Sequence, residues 1–347
     1  MSRKSPARAA QPSREKTVLR LPPFDVHLPD ELGAALALLA KHGRQARPMQ
    51  GGTDLVPNLK LGQTKLEHAV LLAGIDELHG IELDDGELRL GAATGLNALA
   101  QDPQVQAHLP ALAFAASRIA SPQIRSMGTL GGNLCLDTRC RYINQSELWR
   151  QALGGCLKSH GRECHVVPGG QGCVAALSSD TAPVLIAYGA CVHIAGWQDS
   201  ALVRRHIALA DLYDSDGVRH LRLADAEIVT AVRVPLPSAN VHVGYRKWAV
   251  RKSIDFPLIS VALRLERSDT GSLLAGLLVV SVLGPRPRVI DLKALAGRTI
   301  DADLAKALGQ MAFDRCRPLP NVPYDADYRR ERLAVEVRRL CTEMLNL

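Results

Sequence analysis

The sequence predicts an α+β fold: two small subdomains of mixed helix and strand in series, then a C-terminal antiparallel sheet followed by helices. Three observations carry that prediction. Helical and strand-like patterns are interspersed up to about residue 238, after which three strand-like runs follow one another and give way to helical patterns. The length, 347 residues, exceeds what one hydrophobic core usually serves. A chain that is 47% hydrophobic and 22% charged has the composition of a globular protein with more than one core.

In chain order, residues 1–20 carry Arg3, Lys4, Arg8, Arg14, Lys16 and Arg20 against the single acid Glu15, so much of the net charge of +7 lies near the start. Residues 1–17 read as a disordered basic tail with no apolar core of a secretory signal. The first subdomain, 18–78, opens a helix at Pro29-Asp30, with Leu32, Ala35, Leu36 and Leu39 on one face and Gly43 as its stop. Strands follow at 46–49 and 68–73. The second subdomain, 79–238, has strands at 87–92, 190–195 and 227–234, a helix at 110–119 with proline in its first turn, and a helical stretch at 182–187. The third region, 239–347, has strand-like runs at 241–250, 258–265 and 273–283, then helical patterns at 291–295, 301–313 and 328–345.

Composition also excludes functions. Aromatics at 4% are too few for stacking platforms on single-stranded nucleic acid. The longest apolar run, 273–283, contains Gly276 and is too short to cross a bilayer. Neither a nucleic-acid nor a membrane partner is expected, and the location reads as cytoplasmic. In a reducing compartment the eight cysteines point to metal ligation or buried thiols before disulfides.

Two glycine turns stand out. Gly51-Gly52-Thr53-Asp54 follows a strand, and Gly128-Thr129-Leu130-Gly131-Gly132-Asn133 offers similar chemistry in the next subdomain. Glycines there allow backbone N–H groups to converge on an anion such as a diphosphate. Neither turn has the dinucleotide fingerprint or the P-loop spacing, so Rossmann and P-loop domains are disfavoured. Gly169-Gly170-Gln171-Gly172 reads as a bend beside Cys173.

Between the second turn and Ser179-Asp180 lie Cys135, Cys140, Cys156, Cys164 and Cys173. A long segment without a core pattern is functional or disordered, and thiol ligation would order this one. Among Cys140, Cys156, Cys164 and Cys173 no pair has zinc-knuckle spacing; their wide spacing suits an iron–sulfur cube. Cys135 and Cys140 do have knuckle spacing, and with His160 and His165 they keep zinc open. Cys191, Cys316 and Cys341 fall in strand or helix patterns and read as core.

The order of segments resembles the flavin-binding subunit of molybdenum hydroxylases, the xanthine dehydrogenase family. The matching pieces are Gly51 to Leu55, Gly91-Ala92-Ala93-Thr94, Gln123-Ile124-Arg125, Gly128 to Asn133, Ser179-Asp180 with Pro183, Glu227-Ile228-Val229, Tyr245-Arg246-Lys247 and Asp255-Phe256-Pro257. The resemblance implies a two-subdomain, PCMH-type FAD-binding domain. It implies FAD contacts from Met49, Gln50, Gly51, Gly52, Thr53, Asp54, Leu55, Thr94, Ile119, Gly128, Thr129, Leu130, Gly131, Gly132, Asn133, Asp180, Ile228 and Lys247. Asp180 would hold a polar part of the cofactor and Lys247 would lie near the isoalloxazine. On their own, Asp180 also reads as a helix cap and Lys247 as a surface lysine.

The family's chains normally pass from the Gly-Gly-Asn turn to the Ser-Asp motif with few residues between, which makes residues 135–177 an insert. One branch, the 4-hydroxybenzoyl-CoA reductases, carries a 4Fe-4S cluster in such an insert, and Cys140, Cys156, Cys164 and Cys173 look like its ligand set. Cys135 is then a leftover thiol beside the flavin turn. The resemblance further implies a large molybdopterin subunit, a small subunit with two 2Fe-2S clusters, a dimer of heterotrimers and ferredoxin as donor. The chain itself offers no catalytic residue for substrate. Its expected role is electron transfer toward reductive dehydroxylation of 4-hydroxybenzoyl-CoA. The rivals are the flavin subunit of an oxidative molybdenum hydroxylase and a zinc-stapled docking module without flavin.

Overall fold

The computed structural model describes residues 19–345; the basic tail, 1–17, lies outside them. The first sheet has three parallel strands, β1 (Asp25–His27), β2 (Ala46–Met49) and β3 (His68–Leu71), in the order β1-β3-β2. Helix α1 (Leu32–His42) crosses from β1 to β2 and α2 (Leu55–Lys60) from β2 to β3, as parallel pairing requires. Pro48 sits in β2, where an edge strand tolerates a missing N–H. Leu32, Ala35, Leu36 and Leu39 are all buried, and Gly43 ends α1 at positive φ, both as the sequence predicts.

The second sheet has five antiparallel strands, β4 (Ile81–Asp84), β5 (Glu87–Gly91), β6 (Cys191–Gln198), β7 (Ala201–Ala208) and β8 (Glu227–Pro235), in the order β4-β5-β8-β6-β7. Between β5 and β6 the chain forms α3 (Leu96–Gln101), α4 (Pro103–His108), α5 (Pro110–Ser117), α6 (Pro122–Met127), α7 (Leu130–Leu134), α8 (Glu147–Ala152) and α9 (Thr181–Ala187). The third sheet is the predicted meander with one strand more: β9 (Val241–Trp248), β10 (Ile259–Arg267), β11 (Leu273–Ser281) and β12 (Arg288–Asp291).

Every residue of α9 is buried. A helix apolar all round belongs inside a core, and α9 lies against β10 and β11 while its residues share one apolar cluster with β5, β6, β8 and α5. The opposite face of the third sheet is closed by α10 (Ala302–Arg315) and α11 (Ala326–Leu345).

Three expectations fail locally. Residues 291–295 are not a helix; β12 ends at Asp291 and a single 3-10 turn, Lys293–Leu295, follows. The turn at 129–133 is the start of α7, because Thr129 accepts from the Gly132 N–H and caps it. Strands β1, β4 and β7 are additions to the expected set; each is an edge strand with mostly exposed residues, so none shows a buried stripe in the sequence.

Candidate functional site

The two glycine turns meet. A Cβ on Gly51 would lie 1.7 Å from the Met127 carbonyl oxygen, and one on Gly128 would lie 3.5 Å from Thr53 Oγ1. Only glycine permits that approach of backbone to backbone. Gly95 bridges to Thr129, and the Leu96 N–H donates to the Gly128 carbonyl, which fixes α3 to the same junction.

The turns differ in what they leave free. In the second, the N–H groups of Gly128, Leu130, Gly131 and Gly132 donate to Ile124 O, Thr94 O, Ala92 O and Thr129 Oγ1. This turn is therefore not the nest of open donors that its glycines suggest. In the first, the N–H groups of Gly52, Thr53 and Asp54 have no protein acceptor among the described residues, and Gln50 Oε1 is buried without a partner. Gly132 is exposed, and a Cβ added there would meet only Thr129 Oγ1 within 4 Å, a tight 3.1 Å contact with the oxygen that caps α7, and would otherwise face open space. The open donors of the first turn and the exposed face of Gly132 fit a bound diphosphate, whereas Gln50 Oε1, an acceptor, calls for a donor from another part of the ligand.

The remaining predicted contacts divide. Thr94 Oγ1 donates to Gly80 O at 3.2 Å. Leu130 and Ile228 are core side chains, leaving their backbones as candidate contacts. Met49 and Leu55 border a small apolar cluster under the first turn, and Ile119 is buried. Asn133 Oδ1 is taken up by Ser179 Oγ at 2.9 Å, Thr181 N at 3.2 Å and Thr181 Oγ1 at 2.7 Å, tying α7 to α9.

Asp180 precedes α9, but it does not cap it; Ser179 Oγ accepts from the Ala182 N–H instead. The Asp180 carboxylate points to β9, where strand alternation puts Tyr245 and Lys247 on one face. Tyr245 OH donates to Asp180 Oδ1 at 2.6 Å and Lys247 Nζ to Oδ2 at 3.1 Å. Burial pushes the Asp180 pKa up, against the lowering pull of Lys247. The lysine is no surface residue: its side chain is 10% exposed and also donates to Arg118 O at 3.1 Å. From there Arg125, bonded to Ile119 O and Asn97 Oδ1, leads back to the glycine junction.

Three participants escape sequence reasoning. Tyr245 stands in a matching motif with no expected role of its own. Ile254, a β-branched residue at φ 73°, donates its N–H to Ala120 O, itself at φ 41°, so a strained loop end is held beside Arg118. Arg139 pairs with Asp54, stacks 4.1 Å over Phe256 and bridges by its backbone to Ala176. No spacing rule would have found those partners.

The Arg139–Ala176 bridge closes the neck of residues 135–177. Beyond it, Cys140, Cys156, Cys164 and Cys173 line one pocket with Tyr142, Ile143, Leu157, Val166 and Ala175. The backbone N–H groups of Tyr142 and Ile143 donate to the Cys140 sulfur and that of Ala175 to Cys173. Burial pushes the Cys140 thiol up to about 11. Lys158 adds a cation near Cys173, held by Asp137 Oδ1 at 2.7 Å and Gly217 O at 2.7 Å. Four sulfurs around one pocket, met by amide donors and a cation, fit an anionic metal–thiolate group. Cys135 is outside the pocket and packs beside the main core; burial raises its pKa to about 12.

Comparison with known proteins agrees with this architecture, a flavin-binding domain serving a molybdenum enzyme. A family model described as the FAD binding domain in molybdopterin dehydrogenase matches residues 22–237, and the chain belongs to that family. The carbon monoxide dehydrogenase medium chain of Afipia carboxidovorans is 27% identical over 317 residues, 91% of this chain and 94% of that one. The aldehyde oxidoreductase FAD-binding subunit PaoB of Escherichia coli is 32% identical over 252 residues, 70% of this chain and 78% of that one. The Hydrogenophaga pseudoflava medium chain is 42% identical over a shorter match, 33% of this chain and 39% of that one. The solved carbon monoxide dehydrogenase from the same organism superposes with a TM-score of 0.75 at 25% identity, covering 94% of this chain and 99% of that one. The protein is thus an FAD-binding oxidoreductase subunit. Among the described residues no helix is long and apolar enough to cross a membrane.

Proposed function

We propose that this chain is the electron-transfer flavoprotein subunit of a molybdenum enzyme of the 4-hydroxybenzoyl-CoA reductase type, with FAD between the glycine turns and a 4Fe-4S cluster in the insert. The observation that carries the second redox group is the convergence of Cys140, Cys156, Cys164 and Cys173 on one pocket with amide donors to two of the sulfurs. A single zinc ion asks its sulfurs to stand about 3.8 Å apart. Among the described residues no three cysteine sulfurs fall within 4.8 Å of one another. A cube spreads its thiolates more widely, which favours it over zinc.

In this reading the open N–H groups of residues 52–54 and the free face of Gly132 hold the FAD diphosphate. Lys247, fixed by Asp180 and the Arg118 carbonyl, stands near the isoalloxazine, where a cation stabilises negative charge near the ring. Bound FAD supplies conversion between one- and two-electron transfer, and an added one-electron centre suits inflow from a one-electron donor such as ferredoxin. Electrons then move toward 2Fe-2S centres on a small subunit and molybdenum on a large one, for dehydroxylation of 4-hydroxybenzoyl-CoA to benzoyl-CoA in the cytoplasm. A dimer of heterotrimers is the proposed assembly.

A second reading has its own support. The carbon monoxide and aldehyde enzymes among the relatives are named as dehydrogenases or oxidoreductases, so the same flavin site could pass electrons outward in an oxidative hydroxylase. Stopped-flow mixing of the intact complex separates the two. Reduced ferredoxin should reduce the flavin faster than NADH does; rapid NAD reduction by the substrate-reduced complex, with no uptake from ferredoxin, refutes the reductive reading.

A further inference from the structure

At the opposite end of the first sheet from the glycine turns, three histidines converge. In the parallel pairing of β1 with β3, Asp25 stands opposite His68 and His27 opposite Val70. Alternation along a strand then puts Asp25, His27, His68 and Val70 on one face. Val70 packs with Leu32, Leu36 and Leu39, so this is the face covered by α1, whose last residue is His42. Sequence positions 25, 27, 42 and 68 carry no motif; the register and the end of α1 bring them together.

We propose that His27, His42 and His68, with Asp25 beside them, form a site for a single divalent cation of the zinc class. Among the described residues this is the one trio of histidine, cysteine or carboxylate ligand atoms lying within 4.8 Å of one another. His27 Nε2 and His68 Nδ1 are 3.2 Å apart. A tetrahedral ion bound to imidazole nitrogens holds them about 3.3 Å apart, so this pair already has the required bite. The imidazoles are half-buried, with ring centroids 3.7 Å apart for His42 and His68 and 5.3 Å for His27 and His68. Asp25 Oδ2 is 3.6 Å from His68 Nδ1, the nitrogen that faces the proposed ion, and is mostly exposed, free to complete the coordination.

His68 pairs with Ala46 at the start of β2, and Gly51 lies five residues further on, about 16 Å along an extended chain. The site is therefore separate from the glycine turns. An ion there would tie the end of α1 to β1 and β3 and stabilise the first lobe.

The test uses the full-length chain with FAD bound, stripped by chelator, carrying Cys156→Ser so that thiolate binding is suppressed. Co²⁺ is titrated and followed by its visible ligand-field bands at wavelengths beyond the flavin absorption. Thiolate-to-metal bands in the near ultraviolet would report residual cysteine binding. The proposal expects one saturable Co²⁺ per chain with tetrahedral intensity and no thiolate band, displaced by Zn²⁺, and a higher Tm with Zn²⁺ present. His68→Gln and, separately, His42→Gln should weaken Co²⁺ binding about tenfold or more and abolish the Zn²⁺ shift in Tm. Unchanged FAD content and metal-free Tm in those variants show that they fold. Co²⁺ binding and Zn²⁺ stabilisation that survive both substitutions, or absence of saturable binding in the parent, overturn it.

Discussion

Gly51→Ala should uncouple the two glycine turns, and the structure gives the size of the effect. The new methyl carbon would lie 1.7 Å from the Met127 carbonyl oxygen and 2.5 Å from its carbonyl carbon. Both neighbours are backbone, so no side chain can rotate away. The turns must part by about 1.7 Å to reach the 3.4 Å of ordinary contact. Overpacking of this kind costs about 1–3 kcal/mol. The flavin-free protein can relieve it by letting the turns separate, whereas bound FAD requires them closed. The cost therefore falls on the complex, and about 1.4 kcal/mol is tenfold in affinity. The expected loss is roughly 10- to 100-fold in Kd for FAD, read by fluorescence titration of the apoprotein, with circular dichroism to establish folding. Gly284→Ala, where nothing lies within 4 Å of the added carbon, is the control. Wild-type affinity in a folded Gly51→Ala protein would refute the packing of the two turns around the cofactor.

Gly132→Val tests the other side: its Cβ fills solvent-facing space and presses at 3.1 Å on Thr129 Oγ1, the cap of α7, so Tm should fall only slightly while flavin absorbance per protein falls sharply. Cys156→Ser should remove about four irons per chain and leave FAD in place; equal loss of both would mean that the insert is structural for the whole domain. Lys247→Met leaves the Asp180 carboxylate buried without its 3.1 Å partner, a change that costs about 3–5 kcal/mol when the carboxylate is ionised. The Asp180 pKa is already raised by burial and loses the lowering influence of Lys247. A raised carboxyl pKa stabilises the folded state below the ordinary carboxyl range, about pH 4, and that stability is lost as pH rises through the folded value. The stability deficit of Lys247→Met should therefore be smallest in acid and widen toward neutral pH in denaturant unfolding; a pH-independent deficit would contradict the assignment.

The sequence was most legible where one physical rule decided the outcome. Strand β2 running into Gly51, the apolar face of α1 and the meander after residue 238 follow from periodicity and breakers alone. The glycine turns were legible as special positions, but their chemistry only in part. Composition cannot reveal that Thr94 O and Ala92 O consume the second turn's donors, since those acceptors come from a separate segment after β5. The role of Asp180 is similarly split. Its position before α9 suggests a cap, whereas burial beneath β9 turns its carboxylate to Tyr245 and Lys247. Contacts set by tertiary register, such as the histidine trio, leave no periodic trace.

Arg139 joins what the sequence presents as two separate layers, the flavin turns and the cysteine insert. Its guanidinium pairs with Asp54, directly after the first turn, and lies over Phe256, while its backbone closes the insert neck against Ala176. Asp54 keeps only the Asp137 N–H at 3.0 Å and Asn58 Nδ2 at 3.3 Å if the guanidinium is removed. Asp137 in turn holds Lys158 beside the cysteine pocket, so a loosened Asp54 reaches the thiols through one further residue. Arg139→Ala should thus lower FAD affinity several-fold and raise the protease sensitivity of residues 135–177 together, with Arg139→Lys intermediate because it keeps the charge and loses the planar fork. Limited proteolysis and flavin titration on the same samples separate this coupling from its absence. A variant that loosens the insert while FAD binding stays intact would show that the two sites are only neighbours.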